Sequence, residues 1–265
     1  MDIKYKLIDV SHHNGDVDFA KVKAEGIQGV IIRAGYGTSA IDDCFYTNIK
    51  NAIKNGLHIG IYWFGYAYTV SQAEKEAKYC LSVINAYKGK LDLPIFYDWE
   101  YDSFNYAKKQ GVTVSRQLCS DMTDRFCSIM ESNGYFSGVY ANLDYLNNFY
   151  TEYIKNRYTI WVAQWSEKCS YTGNYGIWQY GASTNRIDNP KVNGISSKYV
   201  DKSYCYIDYP NIIKTNGFNG YPLDKDNTPI DSTSNLTTNE IEILKKHISN
   251  LESNIKTLSD IKKKL

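Results

Sequence analysis

Leu93-Pro94-Ile95-Phe96-Tyr97-Asp98-Trp99-Glu100 is the stretch on which the reading of this chain turns. Its first five residues are apolar or aromatic and read as a short buried strand. The strand runs out into two carboxylates spaced two apart. Side chains alternate along a strand, so Asp98 and Glu100 point to the same side. Each acid disfavours ionisation of the other, so the pair is costly unless it is used. One carboxyl held protonated beside another held ionised is the equipment of glycoside cleavage. The neighbours Phe96, Tyr97, Trp99 and Tyr101 are aromatic rather than basic, which favours raised carboxyl pKa values over a structural ion pair. Arg33 or a lysine of the same domain is the alternative partner for such a pair.

Outward from this strand, apolar runs recur at 6–10, 29–32, 57–64, 138–140, 159–163 and 176–180. Helical segments lie between them. Residues 18–25 close on Gly26, 43–55 on Gly56 and 115–133 on Gly134, the position where a left-handed cap favours glycine. Ser71-Gln72-Ala73-Glu74 reads as a capping box that opens a helix to about Tyr87. Alternating strands and helices imply parallel pairing. After residue 157 the strands follow too closely for full helices between them. The expected fold is α/β, a TIM-like barrel of five βα units and then three strands, with its chemistry at the C-terminal strand ends. A doubly wound open sheet competes, but no glycine-rich phosphate loop supports it.

The 265 residues carry a net charge of +1, which gives no electrostatic case for nucleic acid. No apolar run is long enough for a transmembrane helix, and no apolar leader follows Met1, so neither membrane insertion nor a signal peptide is expected. Cys44, Cys80, Cys119, Cys127, Cys169 and Cys205 show no zinc spacing and read as free thiols in a chain large enough to bury its own core. No metal or other cofactor is expected.

Asp9 ends the first strand, in Asp9-Val10-Ser11-His12-His13-Asn14-Gly15. Alone it reads as an Asx turn; with Asp98 and Glu100 at another strand end it joins a candidate site. His12 and His13 are adjacent, so on extended backbone they face opposite ways and suit substrate contact better than chelation.

These motifs, followed in order by Gly60-Ile61-Tyr62-Trp63-Phe64, Tyr97-Asp98-Trp99-Glu100, Gly138-Val139-Tyr140-Ala141-Asn142, Trp161-Val162-Ala163-Gln164-Trp165, Trp178-Gln179-Tyr180 and Val200-Asp201, resemble the strand-end motifs of glycoside hydrolase family 25 over about residues 5–212. These are the lysozymes (N-acetylmuramidases) of phage endolysins and bacterial autolysins. The resemblance implies a flattened (β/α)5(β)3 barrel that cleaves the β-1,4 bond from N-acetylmuramic acid to N-acetylglucosamine in peptidoglycan, with retention. It makes Glu100 the general acid. Asp98 becomes the second carboxylate, either nucleophile or the group that orients the substrate's own acetamido. The tight Asp-x-Glu spacing resembles enzymes that use such assistance. Asp9 and Asp201 become the remaining acids, with Asp208 a nearby competitor for the last place. Tyr62, Tyr140, Trp161 and Gln179 become substrate contacts, although Trp161 also reads as barrel core. A non-catalytic peptidoglycan-binding barrel and a chitinase-like enzyme are the rival readings.

The expected organisation is a catalytic barrel over 1–217, a polar linker over 218–238 and an amphipathic helix over 239–265. Ile241, Leu244, Ile248, Leu251, Ile255 and Leu258 alternate steps of three and four, the seam of a parallel two-stranded coiled coil. That seam suggests a homodimer; packing of the stripe on the barrel is the alternative. The expected setting is synthesis in the cytoplasm and action at the bacterial wall after holin-mediated release.

Overall fold

The structure, a computed structural model, describes residues 2–181 and 191–223. The proposed coiled-coil helix and most of the linker lie outside the described residues. Nine strands form one sheet: β1 (Tyr5–Val10), β2 (Gly29–Tyr36), β3 (Ala40–Ile41), β4 (His58–Phe64), β5 (Ile95–Asp98), β6 (Ser137–Asn142), β7 (Thr159–Ala163), β8 (Ile177–Gly181) and β9 (Asp201–Cys205). Eight close into a barrel in the order β1-β2-β4-β5-β6-β7-β8-β9, and β3 is a short hairpin arm on β2. Pairing is parallel from β1 round to β8, whereas β9 runs antiparallel to both β8 and β1. Helices α1 (Phe19–Ala24), α2 (Phe45–Lys54), α3 (Val70–Ile84), α4 (Tyr101–Lys109), α5 (Arg116–Ser132) and α6 (Glu152–Arg157) fill the first five crossovers, and α7 (Tyr209–Thr215) follows β9. This is the expected (β/α)5(β)3 architecture.

The strand period of two sorts the core into two layers. Leu7, Ile31, Phe96, Trp161, Ile177 and Cys205 form the barrel interior. Their chain neighbours Ile8, Val30, Ile95, Tyr97, Ile160 and Val162 pack in the outer layer, with α3 and α5 residues such as Ala77, Cys80, Met122 and Phe126. Two residues on from the interior set come Asp9 after Leu7, Arg33 after Ile31, Asp98 after Phe96 and Gln179 after Ile177. The same parity that fills the barrel therefore aims these polar side chains into its mouth. At the opposite end, buried Asn219 donates to the carbonyls of Leu91 and Leu93 and accepts from the Phe136 N–H.

Four local expectations change. Helix α3 is capped by Thr69, whose hydroxyl accepts from the Gln72 N–H, not by Ser71. Thr69 has the extended backbone of a cap, and Gln72 completes the turn by accepting from the Tyr68 N–H. Glu74 is thereby freed to pair with Lys78 and Arg125. Helix α4 was not expected: Tyr101–Lys109 is polar on average, and it starts at Glu100, whose backbone N–H donates to Ser103 Oγ in the first turn. Strand β9 has no apolar run, since its buried positions are Ser203 and Cys205. His12 and His13 lie on a single 3-10 turn, capped by Ser11 and Asn14, rather than on extended backbone. Their rings consequently sit together, 3.9 Å apart, instead of facing opposite ways. All six cysteines are free, four of them buried.

Candidate active site

One pocket of about 420 Å³ opens at the C-terminal mouth of the barrel. Asp9, Tyr62, Asp98, Glu100, Tyr140, Trp161, Gln179 and Asp201 all line it, so the eight residues expected at the site from the resemblance converge there. Asp98 ends β5, and Glu100 lies two residues on, at the N-cap of α4. Asp201 starts β9. Because β9 runs backwards, its N-terminus meets the C-termini of the other strands, and Asp201 is the Cα partner of Asp9. Asp208, the rival for this place, caps α7 and accepts from the Tyr5 hydroxyl, at the start of β1 and away from the mouth.

The carboxyls of Asp98 and Glu100 face each other closely enough to act on one another as a hydrogen-bonding pair, which for two acids needs a proton between them. Burial and the negative charge of Glu100 push Asp98 well above the ordinary carboxylate range, with Arg33 opposing. Burial likewise raises Glu100. Burial and Asp201 raise Asp9, and burial followed by the charge of Glu100 lifts Asp201 to about 7. Asp98 is 5% exposed and more enclosed than Glu100. Desolvation therefore favours a shared proton that rests on Asp98 in the free protein. One Asp98 oxygen, Oδ1, is buried without a protein partner.

Gln179 fastens the opposite wall. Its amide donates to Asp9 Oδ2 at 2.9 Å, and its carbonyl accepts from the Tyr140 hydroxyl and the Trp165 indole N–H, each at 3.0 Å. Trp161 is both core and lining: it is 2% exposed, packs on Phe96 and Tyr140, and donates to Ser203 Oγ. Tyr62 meets its edge.

The sequence reading gave Arg33 as an alternative ion-pair partner for the central acids. It does not pair with them. Arg33 bonds Asp42 through Nε at 2.8 Å, and its Nη2 lies 2.8 Å from the same oxygen. His12 Nδ1 sits 2.9 Å from Asp42 as well. This buried set holds a guanidinium at the rim of an otherwise acidic pocket. Sequence reading missed its place there because Asp42 lies on the hairpin loop after β3, distant from every strand-end motif. It also missed Asp102, Tyr36 and Tyr66 as lining residues. Among the described residues no three His, Cys, Asp or Glu side chains are arranged to hold a metal ion.

A second hollow of about 440 Å³ adjoins the first across Glu100 and Tyr140, walled by Tyr101, Asn142, Asp144 and Trp165. Glu100 thus stands between two hollows, the position from which one acid could reach a bond joining two bound rings.

A family model described as Glycosyl hydrolases family 25 matches residues 8–188. Lysozyme M1 of Streptomyces globisporus is 25% identical over 205 residues, 72% of this chain and 68% of that protein. The modular autolysin LytC of Streptococcus pneumoniae, solved with a synthetic peptidoglycan ligand, superposes with a TM-score of 0.66 at 28% identity, covering 76% of this chain and 46% of that one. A family 25 glycosyl hydrolase from Bacillus anthracis shares the fold with a TM-score of 0.65 at 23% identity, over 83% of this chain and 95% of its own.

Proposed function

The chain belongs to family 25 of the glycosyl hydrolases, and from that membership we propose how its own side chains cleave the wall polymer. It is a peptidoglycan hydrolase, a glycoside hydrolase of the muramidase type. The bond cut is the β-1,4 link from N-acetylmuramic acid to N-acetylglucosamine. The observation that carries the assignment of residues is the contacting Asp98–Glu100 pair, set between two hollows and floored by Asp9 and Asp201.

Glu100 is the general acid. It gives its proton to the glycosidic oxygen as the bond to the anomeric carbon breaks. In retaining enzymes with a protein nucleophile, acid and nucleophile stand about 5–5.5 Å apart across the bond. Asp98 and Glu100 stand two residues apart at one strand end and interact directly as a pair, a tight spacing that we take to favour attack by the substrate's acetamido oxygen. Asp98 then accepts from the acetamido N–H as an ionised carboxylate, its charge opposed by Arg33. The shared proton passes from Asp98 to Glu100 when the acetamido N–H replaces it as the partner of Asp98. A water afterwards opens the cyclic intermediate and returns a proton to Glu100, so configuration is retained. Asp9, oriented by Gln179, and Asp201 hold the floor; Tyr62, Tyr140 and Trp161 flank the sugar.

Reducing ends released from purified walls test the acid. Glu100→Gln is expected to lose about a hundredfold to ten-thousandfold in kcat, since it removes a positioned proton donor, while still binding the walls. Undiminished release by Glu100→Gln would overturn the assignment.

The proposal extends to organisation and setting. Residues 1–217 form the catalytic barrel, 218–238 a linker whose first residues still pack on the barrel through Asn219, and 239–265 a helix that pairs with a second copy. The enzyme works on the bacterial wall as an endolysin or autolysin, with holin-mediated passage from the cytoplasm as its route.

A further inference from the structure

We propose that the tyrosine cleft beside the catalytic pocket is a distal subsite for a further amino-sugar ring of the same glycan strand; the inference rests on the hydrolase reading above. The cleft has a volume of about 440 Å³, within the range of small-ligand sites. It shares Tyr36 and Tyr66 with the catalytic pocket, so the two hollows adjoin across these rings. One wall is the β2–β3 hairpin, with Thr38 and Ser39 at its tip. The other is the loop after β4 and the face of α4, carrying Tyr68 and Tyr106.

Its chemistry is that of a sugar site. Tyr66 and Tyr106 meet edge to face at 5.2 Å, Tyr36 and Tyr66 at 6.3 Å, and Tyr106 remains 40% exposed. An exposed ring beside half-buried ones offers an apolar face to the C–H face of a pyranose. Around the rings stand the Thr38 and Ser39 hydroxyls and the amide of Gln72, whose carbonyl is already engaged by the Tyr68 N–H. These suit ring hydroxyls and an acetamido group.

Charge argues against a wall peptide as the occupant. Among the described residues no cation lines the cleft, and the one carboxylate there, Glu76, is fully buried and accepts from the Tyr66 N–H at 2.7 Å and the Tyr97 hydroxyl at 2.6 Å. A stem peptide would bring carboxylates and an amine to a lining without exposed charge, since the Arg33 guanidinium over Tyr36 is held by Asp42.

The test is hydrolysis of peptide-free glycan strands of graded length by the full chain, wild type against Tyr106→Ala and Tyr106→Phe. Tyr106 lies outside the catalytic pocket. The expected result is a kcat/KM that rises with length in the wild type. Tyr106→Ala should lower it roughly threefold to tenfold on long strands only, as loss of one aromatic contact implies. Tyr106→Phe should keep the rise, and the shortest cleavable strand should be cut equally by all three. Equal loss at every length, or no loss on long strands, would overturn the subsite. So would a loss confined to strands bearing stem peptides, which would make the peptide the occupant. A wild type that cuts no strand of any length would instead sink the hydrolase reading, and this inference with it.

Discussion

Gln179 shows how much one amide decides at the residue scale. It is 2% exposed and satisfied on three sides, by Asp9, Tyr140 and Trp165. Replacing it by glutamate sets a carboxylate against an already crowded acid. We expect Gln179→Glu to lower kcat/KM by one to two orders of magnitude, roughly the 1.5–3 kcal/mol of a charge-assisted hydrogen bond inverted, with little change in binding to long strands. Steady-state kinetics on soluble glycan check this. Asp201 gives a prediction in stability. Its folded pKa, about 7, stands above the ordinary 3.8. A carboxyl raised on folding binds its proton more tightly in the native state, so its stabilisation is present at pH 4 and is lost as pH climbs to 7. At about 1.4 kcal/mol per unit the ceiling is ~4 kcal/mol. Asp201→Asn should therefore flatten the fall in Tm between pH 4 and pH 7, raising Tm at neutral pH while activity drops. A variant whose Tm falls with pH as steeply as the wild type would contradict this.

At the scale of elements, the end of β5 is held by the loop that leaves β4. The Gly65 N–H donates to the Asp98 carbonyl, the Trp99 indole N–H donates to the Ala67 carbonyl, and Glu76 of α3 ties the Tyr66 N–H to the Tyr97 hydroxyl. Gly65 has no room for a side chain, because a Cβ there would lie 2.5 Å from the Tyr97 oxygen. Glu76→Ala leaves two buried donors unmet, at about 1–3 kcal/mol each. Chemical denaturation should register a loss of ~2–5 kcal/mol, and kcat should fall because the strand end that carries Asp98 loosens. Gly65→Ala should do the same through the clash. The strands were legible where interior and exterior are both apolar, as in β4 and β7. The end of β5 was legible because its two acids broke an apolar run. Strand β9 was not, because its neighbours on both sides supply the pairing and its inward positions carry Ser203, which meets the Trp161 indole, and Cys205. Helix α4 escaped notice for a related reason: its start depends on Glu100, a residue read for chemistry and not for capping. The convergence of Asp201 with Asp9 depended on a reversal of strand direction that spacing alone does not reveal.

For the whole molecule, the barrel gathers acids from β1, β5, the α4 cap and β9 around one mouth. A net charge of +1 leaves the acid cluster as a local feature rather than a property of the whole surface. The proposed C-terminal pairing would place two such mouths on one particle and raise avidity for a polymeric wall. Light scattering of the full chain at tens of micromolar should give twice 30.4 kDa if the pair binds with Kd near about 1 μM, and a single-chain mass would refute the pairing. Cleavage chemistry itself is tested most directly by the sugar at each new reducing end, identified after digestion of purified walls and borohydride reduction. The account predicts reduced muramic acid. Reduced glucosamine in its place would mean that the other glycosidic bond is cut, and would contradict the assignment of this barrel as a muramidase.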